Sequence, residues 1–304
     1  MNPYPKKILS TADMIQKYTD AELQLPDEST LSLEETLNQV GFYRLRGYSF
    51  QFFNAVTKKY VPGTSFEQIL SIYNFDEKLR GIIFNMTCEI EIALRVRYCN
   101  AMLQTGDVFS YLDPMYSKDK EMFWGNASKI ASEINRSADV FIKHNHKNHN
   151  GQIPLWAAVE VMSFGNLSKH IKNMKDGTDS PYRSLAKYYE YKTPKGNTVV
   201  PKNDFLSSWI YSTVTLRNIC AHNARIYNRS LPVKPTILDQ DRQQQAPRYY
   251  GLYQVLLAMK YLRPSDDAWM SFYQSLKNLT AQYSHAIDLK RLNFPEDWEA
   301  HLQI

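Results

Sequence analysis

Residues 65–103, SFEQILSIYNFDEKLRGIIFNMTCEIEIALRVRYCNAML, decide the fold class. Phe66, Ile69, Ile72, Tyr73, Leu79, Ile82, Ile83, Met86, Ile90, Ala93, Leu94, Val96 and Met102 recur at helical spacing across the whole stretch, with Thr64 or Ser65 as the N-cap. A helix this long spans a domain, so the rest of the chain must supply surfaces that bury it.

Working outward, the apolar residues between Lys7 and Val40 recur at three, four and seven and predict two short helices, separated near Pro26 by a Pro-Asp-Glu-Ser turn. GFYRLRGYSF (41–50) and the following QFFNAVTKKYVPG predict a helix end and then a small hairpin or extended excursion near residues 50–62. Downstream, a helix is expected over about 119–142, closed by a loop at the polar run HNHKNHNGQ (144–152). Pro154 opens a helical block with a bend or break at Gly165, and 188–202 reads as a loop. Helices are expected over about 204–227, 248–262 and 268–289, followed by a short tail. The fold class is all-α, mostly one body, with no internal repeat and no low-complexity linker.

Composition excludes several classes. With 43% hydrophobic and 22% charged residues in 304, the chain can build a core, and extensive disorder is ruled out. No run approaches the roughly eighteen apolar residues of a membrane span, and MNPYPKKILSTADMIQKY has no apolar block after its lysines. The expected location is the cytoplasm, with no membrane partner. Cys88, Cys99 and Cys220 are odd in number and lie in apolar helical contexts, which predicts reduced buried thiols and no metal box. The net charge of +5 permits a nucleic-acid partner without demanding one. Eleven glycines, in none of the phosphate-loop, dinucleotide or nucleophile-elbow patterns, leave no sign of a cofactor.

Chemistry concentrates in LRNICAHNARIYNR (216–229). On a helical wheel Leu206, Trp209, Thr213, Leu216, Cys220, Ala224 and Tyr227 form one stripe at roughly 260–340° from Arg217. Val214, Asn218, Ala221, His222 and Arg225 lie at roughly 40–140°, with Arg217 at the edge and able to bend onto that face. Guanidinium, amide and imidazole together suit a phosphodiester: charge balance, orientation and proton transfer. The same face also fits a solvated surface or a structural ion-pair site. Glu91 and Arg95, i and i+4 on the long helix, either position Arg217 or form a simple intrahelical pair. Arg225, Arg229, Arg44 and Arg46, beside Tyr43 and Tyr48, are candidates for an RNA-binding track. His144, His146 and His149 invite a metal hypothesis but lack a carboxylate or cysteine at ligand spacing, so no metal site is expected.

GFYRLRGYSF (41–50), FDEKLRGIIFNMTCEIEIALRVRY (75–98), LWAAVEVMSFGNLSKH (155–170) and LRNICAHNARIYNR (216–229) resemble, in order and spacing, the abortive-infection D/F-like family of bacterial phage-defence proteins. The resemblance covers about the first 230 residues and implies membership of the HEPN superfamily, whose Arg-x4-6-His motif is the active site of metal-independent ribonucleases. It implies an HEPN-like helical bundle over 1–230, with 231–304 as a C-terminal helical extension packed on the same body. Arg217, Asn218 and His222 match the motif and become the expected catalytic residues, with Glu91 and Arg95 in support. The implied function is an endoribonuclease toxin of abortive infection acting on RNA by 2′-hydroxyl transesterification. In-line transfer needs one acid and one base on opposite sides of phosphorus, and the pairing of motif helices in the HEPN superfamily implies an isologous homodimer with both Arg217–His222 faces in one cleft, the alternative being that the C-terminal extension covers that face; a small structured non-coding RNA is an implied inhibitor or partner. Trp156, Glu160, Phe164 and Gly165 match the family pattern and read as packing and a helix bend. The alternative function is a non-catalytic RNA- or protein-binding module using the same basic face; a third is a metal nuclease centred on the histidine run.

Overall fold

Near the N-terminus α1 (Thr11–Asp20) starts at a capping box: the Ser10 hydroxyl accepts from the Asp13 amide and the Asp13 carboxylate accepts from Ser10. It packs on α2 (Thr30–Val40) and leads to α3 (Phe42–Ser49), with Gly41 (φ 88°) supplying the left-handed residue between the last two. A hairpin of two two-residue strands, β1 (Phe53–Asn54) and β2 (Lys59–Tyr60), comes next, paired antiparallel with Phe53 opposite Tyr60. The computed structural model describes residues 8–26, 30–242 and 251–304. The lysine of the expected first segment, Lys7, and most of the Pro-Asp-Glu-Ser turn fall outside the described residues, as does Arg248.

The long helix forms as expected. Ser65 is extended and its hydroxyl accepts from the Gln68 amide, starting α4 (Phe66–Leu103), which runs 38 residues. Ile69, Ile72, Phe75, Leu79, Ile83, Ile90, Leu94, Tyr98 and Met102 are buried along it. Further helices are α5 (Lys120–Arg136), α6 (Val140–Asn148), α7 (Leu155–Val161), α8 (Phe164–Lys172), α9 (Pro181–Ala186) and α10 (Asn203–Ala221). The C-terminal part supplies α11 (Leu252–Leu262), α12 (Asp266–Gln282) and α13 (Trp298–Leu302). α4 is the central strut: α3, α7, α9, α10 and α12 all pack against it, while α8 and α11 pack on α10. Residues after 230 share this core. Trp209 stacks on Tyr261 with centroids 5.0 Å apart, the Asp288 amide donates to the Tyr227 hydroxyl at 2.9 Å, and Trp269 Nε1 donates to the Leu302 carbonyl at 2.7 Å. The fold is all-α, with no helix among the described residues long and apolar enough to cross a membrane.

Several expected boundaries move, each for a local reason. The helix expected over 119–142 is two: Ser137 turns extended and its hydroxyl donates to Asp139, so α6 begins afresh and carries His144 and His146 in its last turns, where a loop is expected. The break expected at Gly165 falls at Met162–Ser163, because Ser163 caps α8 by accepting from the Asn166 amide; Gly165 is helical. The 188–202 loop contains a second hairpin, β3 (Tyr191–Lys192) paired with β4 (Thr198–Val199). α12 stops at Gln282, with Tyr283 to Ile287 turning the chain and a short 3-10 helix at Leu289–Leu292, and the tail forms α13.

Candidate functional site

The expected 204–227 helix ends six residues early, and that end builds the site. Asn223 adopts the left-handed conformation (φ 52°), its amide donating to the Cys220 carbonyl and the Ala224 amide donating to the Ile219 carbonyl, both at 3.0 Å. This pair of bonds is a Schellman end with asparagine in the usual glycine place. His222 is therefore the C-cap of α10, exposed, and not a residue in mid-helix. Beyond it the backbone leaves the helical wheel, so Arg225 does not share a helix face with Asn218. Leu206, Trp209, Thr213, Leu216 and Cys220 are buried as the stripe predicts; burial pushes the Cys220 thiol up to about 12, an inert group.

The chain beyond the cap is held from two sides. Asp76 on α4, fully buried, accepts from the Tyr227 amide at 2.8 Å, the Ile226 amide at 3.2 Å, the Tyr48 hydroxyl at 2.7 Å and Arg80 at 2.5 Å. Burial drives its carboxyl upward, and those four donors oppose the rise. From α3, Arg44 Nη1 donates to the Asn223 carbonyl at 2.7 Å, while Arg225 donates to the Gly47 carbonyl and lies over the Tyr48 ring. Arg44 and Arg225, expected on an RNA track, thus latch the post-helix segment to α3. Arg46 lies over the Phe53 ring. Tyr48 is buried and cannot stack on a base, whereas Tyr43 is exposed.

A groove of about 440 Å³ opens between α8 and α10. Tyr211, Thr215, Asn218 and His222 line it as one row spaced four, three and four residues apart, exposed except for the half-buried Thr215. Gly165, Ser168 and Lys169 of α8 form the opposite wall, with Arg229 at the end. Gly165 has open space where a side chain would stand. Among the described residues no carboxylate lines the groove. Arg229 donates to the Arg225 carbonyl at 3.2 Å.

Arg217 lies on the α4 side of this row. Its guanidinium donates to Asn218 Oδ1 at 3.2 Å, stands 3.8 Å from Glu91 and sits 5.9 Å from the Phe84 ring centroid. Glu91 also pairs with Arg95, whose other amino group donates to the Val159 carbonyl of α7. Glu91 is thus shared between an intrahelical partner and the motif arginine of the next helix. Arg217 is a third exposed, and its Nε is buried with no partner among the described residues. Asn218 joins the two halves of the motif, touching Arg217 while lining the groove with His222.

The remaining candidates lie elsewhere. His144 and His149 have ring centroids 5.3 Å apart and His144 meets Asn148, while His146 borders a separate cleft with Ile130 and Ile153. Among the described residues no group of three or more histidine, cysteine or acidic side chains is placed to hold a metal. Phe164 is buried as expected, but Trp156 is 51% exposed and Glu160 is exposed, so neither is core packing. Motif spacing does not single out Asp76, Arg80, Tyr211 or Lys169. For Asp76 and Arg80 a signal existed: they stand at i and i+4 between Ile72 and Ile83, on the apolar period of α4.

No curated protein and no solved structure matches the chain. A family model described as Abi-like protein matches residues 35–228, from α2 through α10 and the segment latched behind it. That match holds almost two thirds of the sequence, and the chain belongs to the Abi-like family.

Proposed function

We propose that the protein is a metal-independent endoribonuclease acting in abortive infection, with the HEPN superfamily as its wider kinship. The observation that carries this reading is the row of Asn218 and His222 on a groove lined by no carboxylate among the described residues, with Arg217 bonded to Asn218. RNA brings its own nucleophile. His222 takes the proton from the 2′-hydroxyl, the new 2′-O–P bond forms, the P–O5′ bond breaks, and the 5′-oxygen leaves with a proton from an acid on the far side. The products are a 2′,3′-cyclic phosphate and a 5′-hydroxyl end. Arg217 balances charge on the non-bridging oxygens; its 3.8 Å approach to Glu91 is longer than a hydrogen bond, so donors are left for a phosphate.

One chain offers one His222, so the acid is assigned to a second copy in an isologous dimer, both grooves meeting across a two-fold axis. A small structured RNA as inhibitor fits the same cationic groove. One observation favours a second reading, a binding module without catalysis: Arg217 is turned toward α4 and does not line the groove.

Incubation of wild type, Arg217→Ala and His222→Ala with total RNA in EDTA tests the proposal. The expected result is cleavage by wild type alone, leaving cyclic phosphate ends. RNA binding without cleavage in wild type establishes the binding module, and equal cleavage by all three overturns the site.

A further inference from the structure

A second cleft, of about 470 Å³, lies between α5, α6 and the 3-10 turn at Ser110–Leu112, and shares no lining residue with the groove of His222. Small-molecule sites span about 300–1,000 Å³, so the cleft has the size of one. Its walls are apolar: Phe109, Tyr111, Ile130, Ile134 and Ile153. The buried Tyr111 fixes them, because its hydroxyl donates to the Ile153 carbonyl at 2.8 Å and its own carbonyl accepts from His170 Nε2 at 3.2 Å. Three polar side chains join the lining from separate segments: Asn135 at the end of α5, His146 on α6 and Gln152 on the turn before α7. All three are exposed, and their side chains make no hydrogen bond among the described residues. Nor does any lysine, arginine, aspartate or glutamate line the cleft among those residues.

We infer that this cleft binds a neutral nucleoside, with the faces of the base on the apolar walls and its polar edge on Asn135, His146 and Gln152. A carboxamide sets a donor beside an acceptor, which is the pattern along a nucleobase edge, and the planar faces of a base suit Phe109 and the isoleucines. An anionic or cationic ligand would lose its hydration here and meet no counter-charge. A hydrocarbon would shut three polar side chains away from water without giving them partners. Only a neutral molecule with flat apolar faces and a hydrogen-bonding edge satisfies both halves of the lining. The inference stands apart from the ribonuclease reading, since it concerns a different site and is measured by binding alone.

Isothermal titration calorimetry of the full-length protein with adenosine, inosine, cytidine and uridine is the test, with the matching 5′-monophosphate and indole as charged and apolar comparisons. At least one nucleoside is expected to bind with a Kd on the order of 0.1 mM, and its monophosphate no tighter. Ala131→Trp, at an exposed position on the lining, should fill the space and weaken that nucleoside about tenfold or more. Asn135→Ala and Gln152→Ala should each weaken it about three- to tenfold, the loss of one hydrogen bond. His222→Ala, which alters the other groove, should bind as wild type does. These changes are at exposed side chains, and matching melting curves confirm the fold. No binding by any of the nucleosides at millimolar concentration overturns the inference. So does a monophosphate that binds tighter, or indole that binds tighter and ignores the two amide variants. Affinity lost in His222→Ala but kept in Ala131→Trp would assign the nucleoside to the groove and overturn it as well, while the EDTA assay still judges His222.

Discussion

Glu91 shows how one buried carboxylate serves two arginines. Its first oxygen satisfies Arg95, which is anchored in turn on the Val159 carbonyl, and its second faces Arg217. Glu91→Gln keeps the shape and removes the charge that orients Arg217. The expected outcome is kcat for RNA cleavage about tenfold lower, about 1.4 kcal/mol in the transition state, with KM close to wild type. Steady-state kinetics on a short RNA decide: a lower melting temperature with kcat unchanged would reduce Glu91 to a structural partner of Arg95. The pair Glu91–Arg95 is visible in the sequence because i and i+4 are neighbours on any helix. That Arg217 joins them is not, since it depends on how α10 crosses α4.

Termination of α10 after Ala221 places the motif histidine. Periodicity predicts six more helical residues because Ala224 and Tyr227 fall on the apolar stripe by number, and Tyr227 is indeed buried, although by a different path. Asn223 carried the signal as a left-handed C′ residue. The Schellman bonds need that conformation, so Asn223→Ala should cost about 1–2 kcal/mol and Asn223→Gly only a few tenths. Asp76→Asn, which strands Arg80 in the interior, should cost about 3–5 kcal/mol. Urea midpoints rank the three; an Asp76→Asn variant as stable as wild type would show that the network does not hold the segment. The same element logic separates α5 from α6, where the short bond between Ser137 and Asp139 outweighs apolar spacing that continues on both sides.

Across the whole molecule, α4 is the strut on which distant segments meet, and His170 is one of the joints. Its Nε2–H donates to the Tyr111 carbonyl at 3.2 Å, so Nδ1 is the acceptor of the Tyr98 hydroxyl at 2.9 Å. This neutral tautomer ties α8 to α4 and to the 3-10 turn at Ser110–Leu112. Burial holds its imidazole below the ordinary 6.5. Above pH 6.5 both folded and unfolded forms are neutral there; below it the unfolded chain takes a proton that the folded one refuses. Stability should therefore fall as pH drops below that value, by up to about 1.4 kcal/mol per pH unit, until the folded form also protonates. Thermal melts from pH 7.5 to 5 compare wild type with His170→Gln, whose profile should be flatter by that slope; parallel profiles would show that another group governs acid sensitivity. By itself the sequence determined the long helices and their buried stripes, though not where α5 and α10 stop, because a 3.6-residue period with capping residues is a local property of the chain. It also determined the motif residues, since their identities are written in order. The tertiary structure alone decided which polar groups face one another: Arg217 with Glu91, and Asp76 with the chain behind His222. Those pairings depend on crossing angles and on where helices stop, and both are set by the packing of the whole core.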